Sequence, residues 1–472
     1  MLKSATQRAG SFIQALSRPV DMTEGAPWIK ILRFSIPLLI GNVIQQLYAA
    51  IDAAVLGRYV GVNALAAVGA SFPLLNLLLV LFMGVSTGAT ILAAQYFGAR
   101  DRDRLSETVG VSITLMLLVS AAIMALGPVL TEPLLRITQT PPEVSEGSAA
   151  YLKVCFMGIL GIAFYNMLAG ILRGLGDVIM PLLFLTVACV TNIALDLYFV
   201  AALDWGVAGA AWATVISQII SGALCLLRLS RMRSLLVITR GTLRLRRGMS
   251  IRLLRLGMPA GVTQMVFAMA SLLVQSLTNS FGAVVIACST VVMRVDGFAM
   301  MPNFTFGNAM TTYAGQNVGA GSIDRTRKGA IDGLWISSLF SAVMTIAILL
   351  GGRWMMEQFT NDPEVIRLGV RMLRILAVGY VAMAISQALG GVMRGAGDTV
   401  TPMWLSIVST IVLRMPIAYA YARFTQTPQA PNGSPDSLYV SLLVAWVLGA
   451  ALTAIMYRYG RWRKTALAAS AE

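Results

Sequence analysis

The sequence predicts an all-α protein that crosses a membrane repeatedly, with twelve transmembrane helices in two six-helix lobes. Its 472 residues are 57% hydrophobic and only 12% charged, about half the charged fraction of a soluble globular chain. Twelve apolar segments reach the roughly 20 residues that a helix needs to cross a bilayer, and the second six repeat the first. This composition disfavours a soluble enzyme or a nucleic-acid-binding protein.

Basic residues are distributed unevenly between the loops that join these segments. With the N-terminus inside, the inner segments hold 26 Lys and Arg, and the outer loops hold four, Arg58, Arg136, Arg353 and Arg423. Because cytoplasmic loops collect Lys and Arg, we expect both termini in the cytoplasm and assign the net charge of +15 to topology. The predicted spans are 31–57, 65–97, 105–130, 146–172, 178–201, 206–229, 252–281, 284–318, 328–351, 365–393, 400–423 and 437–458.

The two halves of the chain are copies of one another. At an offset of 221 residues, 95–99 falls on 316–320 and 173–177 on 394–398, and with a shift of one residue Pro37 falls on Pro259. Six spans per half give both halves the same orientation, so we expect a pseudo-twofold axis along the membrane normal. The predicted segments are a cytoplasmic tail 1–30, a first lobe 31–229, a basic linker 230–251, a second lobe 252–458 and a cytoplasmic tail 459–472.

Features that both copies retain indicate scaffold. The RGxGD sequences at 173–177 and 394–398 have two glycines for a tight turn and polar ends for a cytoplasmic interface. We interpret the linker as a solvated loop held near anionic lipid. The four cysteines lie in apolar stretches without metal or disulfide spacing, so we expect them in the core.

Acidic residues inside the apolar segments point to function. A carboxylate at membrane depth costs about 2.5–3.5 kcal/mol even on the permissive insertion scale, so such residues are functional by default. Only Asp52, Asp196 and Asp296 lie well inside spans, and the repeat aligns Asp52 and Asp196 with apolar residues. The shared fold therefore does not require these two carboxylates.

The neighbours of Asp52 and Asp196 favour a single site. Tyr48 precedes Asp52 by four residues and Asn192 precedes Asp196 by four, so each pair shares a helix face. The first and fifth spans both run outward and both aspartates lie near the outer end, at similar depth. Thr214 on the sixth span adds a hydroxyl. Two carboxylates in one desolvated pocket cannot both ionise cheaply, so we expect at least one of them to hold a proton.

The chain resembles the multidrug and toxic compound extrusion (MATE) transporters, in the bacterial branch similar to the DNA-damage-inducible efflux proteins. The resemblance rests on IPLLIGNVIQQLYAAIDAAVLGRYVG, GASFPLLN with GVSTGATILAAQYFGA, RGLGD with TNIALD, WGVAGAAWAT and GQNVGAG. It implies no enzyme activity and no cofactor. It implies a bacterial inner-membrane antiporter, expected to be a monomer, that exports lipophilic or cationic compounds in exchange for protons, with Na⁺ as the other possible coupling ion.

The resemblance also implies residue roles. Asp52 and Asp196 match the cation-site carboxylates of that branch, with Tyr48, Asn192 and Thr214 around them, and Na⁺ is the alternative to the proton at the two carboxylates. Pro37, 15 residues before Asp52, matches the proline at which the first helix bends. The other large branch has carboxylates on the seventh and tenth spans. Here the seventh has Gln264 and the tenth has no interior acid.

Three charged residues in the second lobe have two alternative roles: they line a cavity, or they hold helices together. Arg294 and Asp296 lie on the eighth span and Arg414 on the eleventh. Residues two apart do not share a helix face, so Arg294 and Asp296 need separate partners. A structural staple is the interpretation we favour.

Two other functions compete with antiport. A flippase for an anionic lipid-linked precursor would use a cationic cavity, for which Lys153, Arg294, Arg374 and Arg414 are candidates. An intramembrane aspartyl protease is suggested by GLGD at Asp177, which imitates the protease motif. Asp177 is placed at a cytoplasmic turn, however, whereas a protease needs its pair inside the membrane.

Overall fold

The protein is built from long helices; each predicted span contains at least part of one, and the fourth, 146–172, is divided between two. The computed structural model describes residues 19–138, 140–428 and 430–471, without the side chains of 76–79, 81 and 468–471. The helices are α1 Pro27–Tyr59, α2 Val62–Gly98, α3 Arg102–Ile137, α4 Pro142–Met157, α5 Ile159–Gly174, α6 Ile179–Asp196, α7 Gly206–Arg231, α8 Arg247–Ser280, α9 Ala283–Gly319, α10 Ile323–Glu357, α11 Pro363–Gly395, α12 Val400–Ile407, α13 Arg414–Phe424, α14 Ser437–Tyr459 and α15 Trp462–Ala471.

Ten of the helices in this described part are long and apolar enough to cross a membrane. The bent pair α4 and α5, which meet at 53°, makes an eleventh, and α2 runs unbroken for 37 residues at the second predicted span. Two segments are π-helical: Leu197–Ala202 directly follows α6, and Val408–Leu413 joins α12 to α13. The predicted helical membrane fold is confirmed.

Contacts divide the chain into two compact units. The first contains Ile36–Gly261 and the described residues before Met22, and the second contains Met22–Ser35 and the chain from Val262 onward. The sequence repeat divides the chain by ancestry, whereas these contacts divide it by packing. The beginning of α1 therefore belongs with the second unit, and the beginning of α8 belongs with the first.

Both helices that change unit contain a proline at the change. Pro37 follows the Ser35/Ile36 boundary in α1, and Pro259 precedes the boundary after Gly261 in α8. A proline inside a helix removes one backbone hydrogen bond and strains the preceding turn. In both α1 and α8, the helical hydrogen bonding is therefore weakest near the point where the helix passes from one unit to the other.

The basic linker is docked on α3. The Val237 N–H donates to Ser106 Oγ at 2.9 Å, and Thr114 Oγ1 donates to the Leu243 carbonyl at 2.6 Å. Leu236 is buried. A freely solvated loop is thus the wrong description of this segment, because its apolar residues and backbone pack on the helix while its arginines stay exposed.

The segment before α1 is anchored in the second unit by residues of the repeated motif. The Met22 N–H donates to Gln316 Oε1 at 2.9 Å, and its carbonyl accepts from Asn317 Nδ2 and Arg325 Nη2, each at 3.1 Å. Met22 itself is fully buried. The glutamine and arginine that both copies share at these positions therefore serve the scaffold here.

The RGxGD turns have the predicted tight geometry. Gly176 and Gly397 adopt φ of 84° and 92°, which glycine reaches without steric cost. Asp177 accepts from Arg228 Nε at 2.9 Å and from the Met180 N–H at 3.2 Å. Asp398 accepts from Thr401 N–H and Oγ1 at 3.1 and 2.8 Å. Each aspartate thus has partners within its own turn or unit.

Asp177→Asn should destabilise the protein without a specific loss of function. The carboxylate is almost fully buried and its pair with Arg228 is largely shielded, so the change weakens a charge-assisted hydrogen bond in a shielded place. We expect a loss of about 1–3 kcal/mol, typical of a hydrogen bond to a charged group, measured as a lower melting temperature. Asp398→Asn is the matched control and should change it less. Equal melting temperatures for the two variants would contradict this assignment.

The predicted terminal segments are only partly described. Residues 1–18 of the N-terminal tail and Glu472 lie outside the described residues. The C-terminal tail forms α15, which packs on α9, and Trp462 is buried with its Nε1 donating to the Tyr457 carbonyl at 2.6 Å. All four cysteines are free and buried, as predicted.

Candidate cation and proton site

Five polar side chains from three helices meet inside the first unit. Tyr48 and Asp52 come from α1, Asn192 and Asp196 from α6, and Thr214 from α7. Both pairs are spaced i,i+4, so each aspartate has its partner one turn earlier on the same face. The structure thus brings together all five residues that the sequence placed in the first-lobe site.

A chain of hydrogen bonds joins these side chains. Tyr48 Oη lies 3.2 Å from Thr214 Oγ1. With the Asn192 amide turned so that both ends find partners, its nitrogen donates to Asp196 Oδ2 at 2.9 Å and its oxygen accepts from the Thr214 N–H at 3.2 Å. The Asp52 and Asp196 carboxyls are within hydrogen-bonding reach of each other.

The two carboxyl groups leave unmet hydrogen-bonding capacity. Asp196 and Asn192 are fully buried, and Asp52 is half-buried. Within the described residues, Asp52 Oδ1 and Asp196 Oδ1 are buried without a hydrogen-bond partner. Two carboxylates this close repel unless a proton or a cation lies between them. A proton or a cation shared by the two carboxyl groups would relieve this repulsion.

Two features beside the pair were not anticipated from the sequence. Tyr151 on α4 is nearly buried and lies close enough to interact electrostatically with Asp52 and Tyr48. The π-helical segment starts at Leu197, directly after Asp196. Such π-helical segments are rare in proteins, and those that occur often lie at functional sites. Neither feature has a sequence signal, because an aromatic residue in an apolar helix is common.

A second polar cluster lies in the second unit around Asp296. Tyr380 on α11 donates its hydroxyl to Asp296 Oδ1 on α9 at 2.9 Å, and Arg414 is close enough to interact with the carboxylate. Tyr439 on α14 donates to Ser289 Oγ on α9 at 3.0 Å. Asp296 therefore links α9 to α11, through a tyrosine that the sequence did not single out.

The remaining second-lobe candidates do not join one site. Arg294 and Gln264 are exposed, on α9 and α8. Arg414 follows the second π-helical segment, and its Nε is buried without a hydrogen-bond partner within the described ranges. Those same ranges contain no group of three or more His, Cys, Asp or Glu side chains arranged for a metal ion.

The MatE family model matches the chain twice, over residues 37–198 and 259–420. Together the two matches cover more than half of the 472 residues. The chain belongs to the MatE family. The double match confirms the internal duplication, and its offset of 222 residues is the one that aligns Pro37 with Pro259.

Relatives and solved structures agree with this membership. The chain is 29% identical to the probable multidrug resistance protein YoeA of Bacillus subtilis, covering 89% of this chain and 92% of the relative. It is similar to an outward-facing multidrug resistance MATE family transporter of the MOP superfamily, with a TM-score of 0.86, 25% identity and 95% and 98% of the chains covered. A MOP superfamily transporter from Pyrococcus furiosus, described as having a binding pocket of reverse polarity that suggests a different function, gives a TM-score of 0.86 at 25% identity, with 96% and 99% covered.

Membership in the MatE family is consistent with a site formed by the first-lobe residues. Asp296, the acidic residue inside the second lobe, is not part of that site. The structure keeps Asp52 and Asp196 in one unit with their three polar neighbours. Asp296 has its own partner in the other unit. The two clusters are therefore separate features of this MatE chain.

Proposed function

We propose that this protein is a secondary active antiporter that exports lipophilic or cationic compounds in exchange for protons bound at Asp52 and Asp196. The observation that carries the proposal is the pair of carboxyls within hydrogen-bonding reach, each with one buried oxygen lacking a partner. The relatives support the substrate class, because they are named multidrug resistance proteins.

Exchange follows from the charge of the pair. With a proton added from the acidic outer side, the pair carries one negative charge fewer and holds a cation less tightly, so the cation leaves outward. Facing the cytoplasm, the pair loses its proton and attracts the next cation. Coupling requires only that the proton and the cation bind the two facing states with different affinity.

Tyr48, Asn192 and Thr214 position the carboxyls. Asn192 donates to Asp196 and is itself oriented by the Thr214 backbone, while Thr214 also contacts the Tyr48 hydroxyl. This network fixes the rotamers of the pair across three helices. The same oxygens are hard ligands of the kind that Na⁺ accepts, so sodium is the competing coupling ion.

Pro37→Ala should slow turnover while leaving cation affinity within about twofold of the wild type. Alanine restores the missing hydrogen bond and stiffens α1 where its packing changes unit, by up to about 3 kcal/mol. Transport rates and equilibrium binding of one dye, measured on the same protein, separate the two effects. Pro73→Ala in α2, a helix that stays within one unit, is the control. Wild-type turnover in Pro37→Ala would remove the proline from the mechanism.

The flippase alternative needs basic side chains that converge on one cavity. Lys153 is paired with Glu132 at 3.3 Å, Arg294 is exposed, and Arg414 lies by Asp296. Arg374 is exposed in a cavity beside α11 that none of the other three lines. The candidates are therefore dispersed, and Lys153 belongs to a different unit from the others. The protease alternative requires Asp177 to be free, but Arg228 holds it.

The proposal also covers the location of the protein, its topology and its partners. The proposed setting is the bacterial inner membrane, with the protein as a monomer. The uneven distribution of Lys and Arg supports placing both termini in the cytoplasm. No nucleic acid or cofactor takes part. The partners are the bilayer and small cationic substrates.

Dye efflux in inverted membrane vesicles tests the function. A proton gradient and a sodium gradient are imposed separately on vesicles with and without the protein. The proposal predicts uptake of a cationic dye into the vesicles with the proton gradient alone. Uptake with the sodium gradient alone would make Asp52 and Asp196 sodium ligands, and no uptake with either would overturn antiport.

A further inference from the structure

A cavity of about 1580 Å³ opens beside the N-terminal part of α11 in the second unit. Its walls come from the end of α10, the first three turns of α11, and the facing ends of α13 and α14. The cavity is separate from the Asp296 cluster, whose residues do not line it. Four arginines and three acidic residues form most of its charged surface.

Two of the four arginines are neutralised by neighbouring acids. Arg353 Nε lies 2.8 Å from Glu357 Oε1 on the same helix. Arg371 on α11 pairs with Asp436, which is almost fully buried. These pairs account for two of the three acids and leave no excess charge at Arg353 and Arg371.

Arg367 and Arg374 have no such compensation. Both line the cavity and are exposed, and across the described ranges neither has a carboxylate within 4 Å. The third acid, Glu364, lies one turn before Arg367 and is not within that distance either. The two arginines are seven residues apart, so they share a face of α11 on either side of Arg371.

Arg374 lies well along α11 and not at its end. It lies 11 residues into α11, about 16 Å from the start at 1.5 Å per residue. An exposed guanidinium with no carboxylate partner is free to bind an anion through charge-assisted hydrogen bonds. The cavity gives an anion access to it.

We propose that this cavity binds a phosphate-bearing anion between Arg367 and Arg374. Guanidinium groups bind phosphate oxygens in a bidentate manner, and the long side chains on one helix face can lean toward a single group. In a membrane the abundant source is the headgroup of an anionic phospholipid, and soluble phosphate has the same chemistry. The anion neutralises the face of α11 and is held, not transported.

Lipid retention by the purified, full-length protein tests the proposal. The protein is reconstituted in nanodiscs of mixed phosphatidylglycerol and phosphatidylcholine. Native mass spectrometry of the protein released from the nanodiscs then identifies the lipids that remain bound to it. Wild-type protein should retain phosphatidylglycerol preferentially. The double variant Arg367→Gln with Arg374→Gln should lose that preference by about tenfold or more. The double variant Arg58→Gln with Arg136→Gln, which removes two exposed arginines of the other unit, should keep it.

A second arm distinguishes the source of the phosphate. Titration with inorganic phosphate in a zwitterionic detergent measures binding without lipid. Phosphate binding that depends on the two arginines, with no lipid preference, supports the site with a soluble ligand. If neither ligand's binding changes in the arginine variant, the proposal is overturned. Lysine at both positions, which keeps charge but loses bidentate contacts, should give intermediate retention and guards against a folding defect in the glutamine variant.

Discussion

Asp52→Asn and Asp196→Asn should each abolish export of a cationic dye while leaving the protein inserted in the membrane at normal amounts. Removing a charge makes a helix easier to insert, so loss of transport would report the site and not expression. The effect should be complete for each variant. A single carboxyl has no second negative charge beside it, so it no longer shares a proton that the cation displaces. Resistance and dye efflux in cells, normalised to protein in the membrane, measure it.

The control for these variants is Asp204→Asn. Asp204 is an exposed carboxylate eight residues after Asp196, so the same isosteric change there removes a charge without touching the site. It should transport normally. Full drug resistance in Asp52→Asn or Asp196→Asn at normal expression would show that the pair has no role in coupling.

Cation affinity should rise with pH across the titration of the pair. Below that range a proton occupies the space between Asp52 and Asp196 and competes with the cation, and above it the pair is free to bind. For one displaced proton, the apparent affinity changes by at most about tenfold per pH unit. Equilibrium binding of one dye in detergent, from acidic to mildly alkaline pH, measures the slope.

Asp196→Asn should flatten this dependence, because the remaining carboxyl no longer shares its pocket with a second negative charge. Thr214→Val, which removes the hydroxyl that contacts Tyr48 but no charge, is the matched comparison. It should lower affinity with the slope retained. A wild-type affinity independent of pH would rule out proton competition at this site.

Helix positions were predictable because the bilayer imposes a length and an apolar composition on every span. The repeat added the lobes. The break at Gly158 was not predictable, since it depends on a neighbour: a side chain there would collide with Val215 of α7. The arginines of the linker led to the prediction of a solvated loop, which was wrong. The apolar run 235–238 indicated a segment that packs on a helix.

The first-lobe site was predictable for a different reason. Intramembrane carboxylates are costly enough to be rare, so Asp52 and Asp196 stood out, and helical spacing supplied Tyr48 and Asn192. The same cost drew attention to Asp296 but not to its partner. Tyr380 lies in an apolar stretch where tyrosines are common, and only the packing of α9 against α11 brings its hydroxyl to the carboxylate.

Proton release on cation binding tests the shared site most directly. Purified protein in a weakly buffered solution with a pH indicator is mixed with a saturating cationic dye near the midpoint of the pH dependence. We predict release of close to one proton per bound cation from the wild type and none from Asp196→Asn. Stoichiometric cation binding to the wild type with no proton release would contradict the claim that the proton and the cation compete for Asp52 and Asp196.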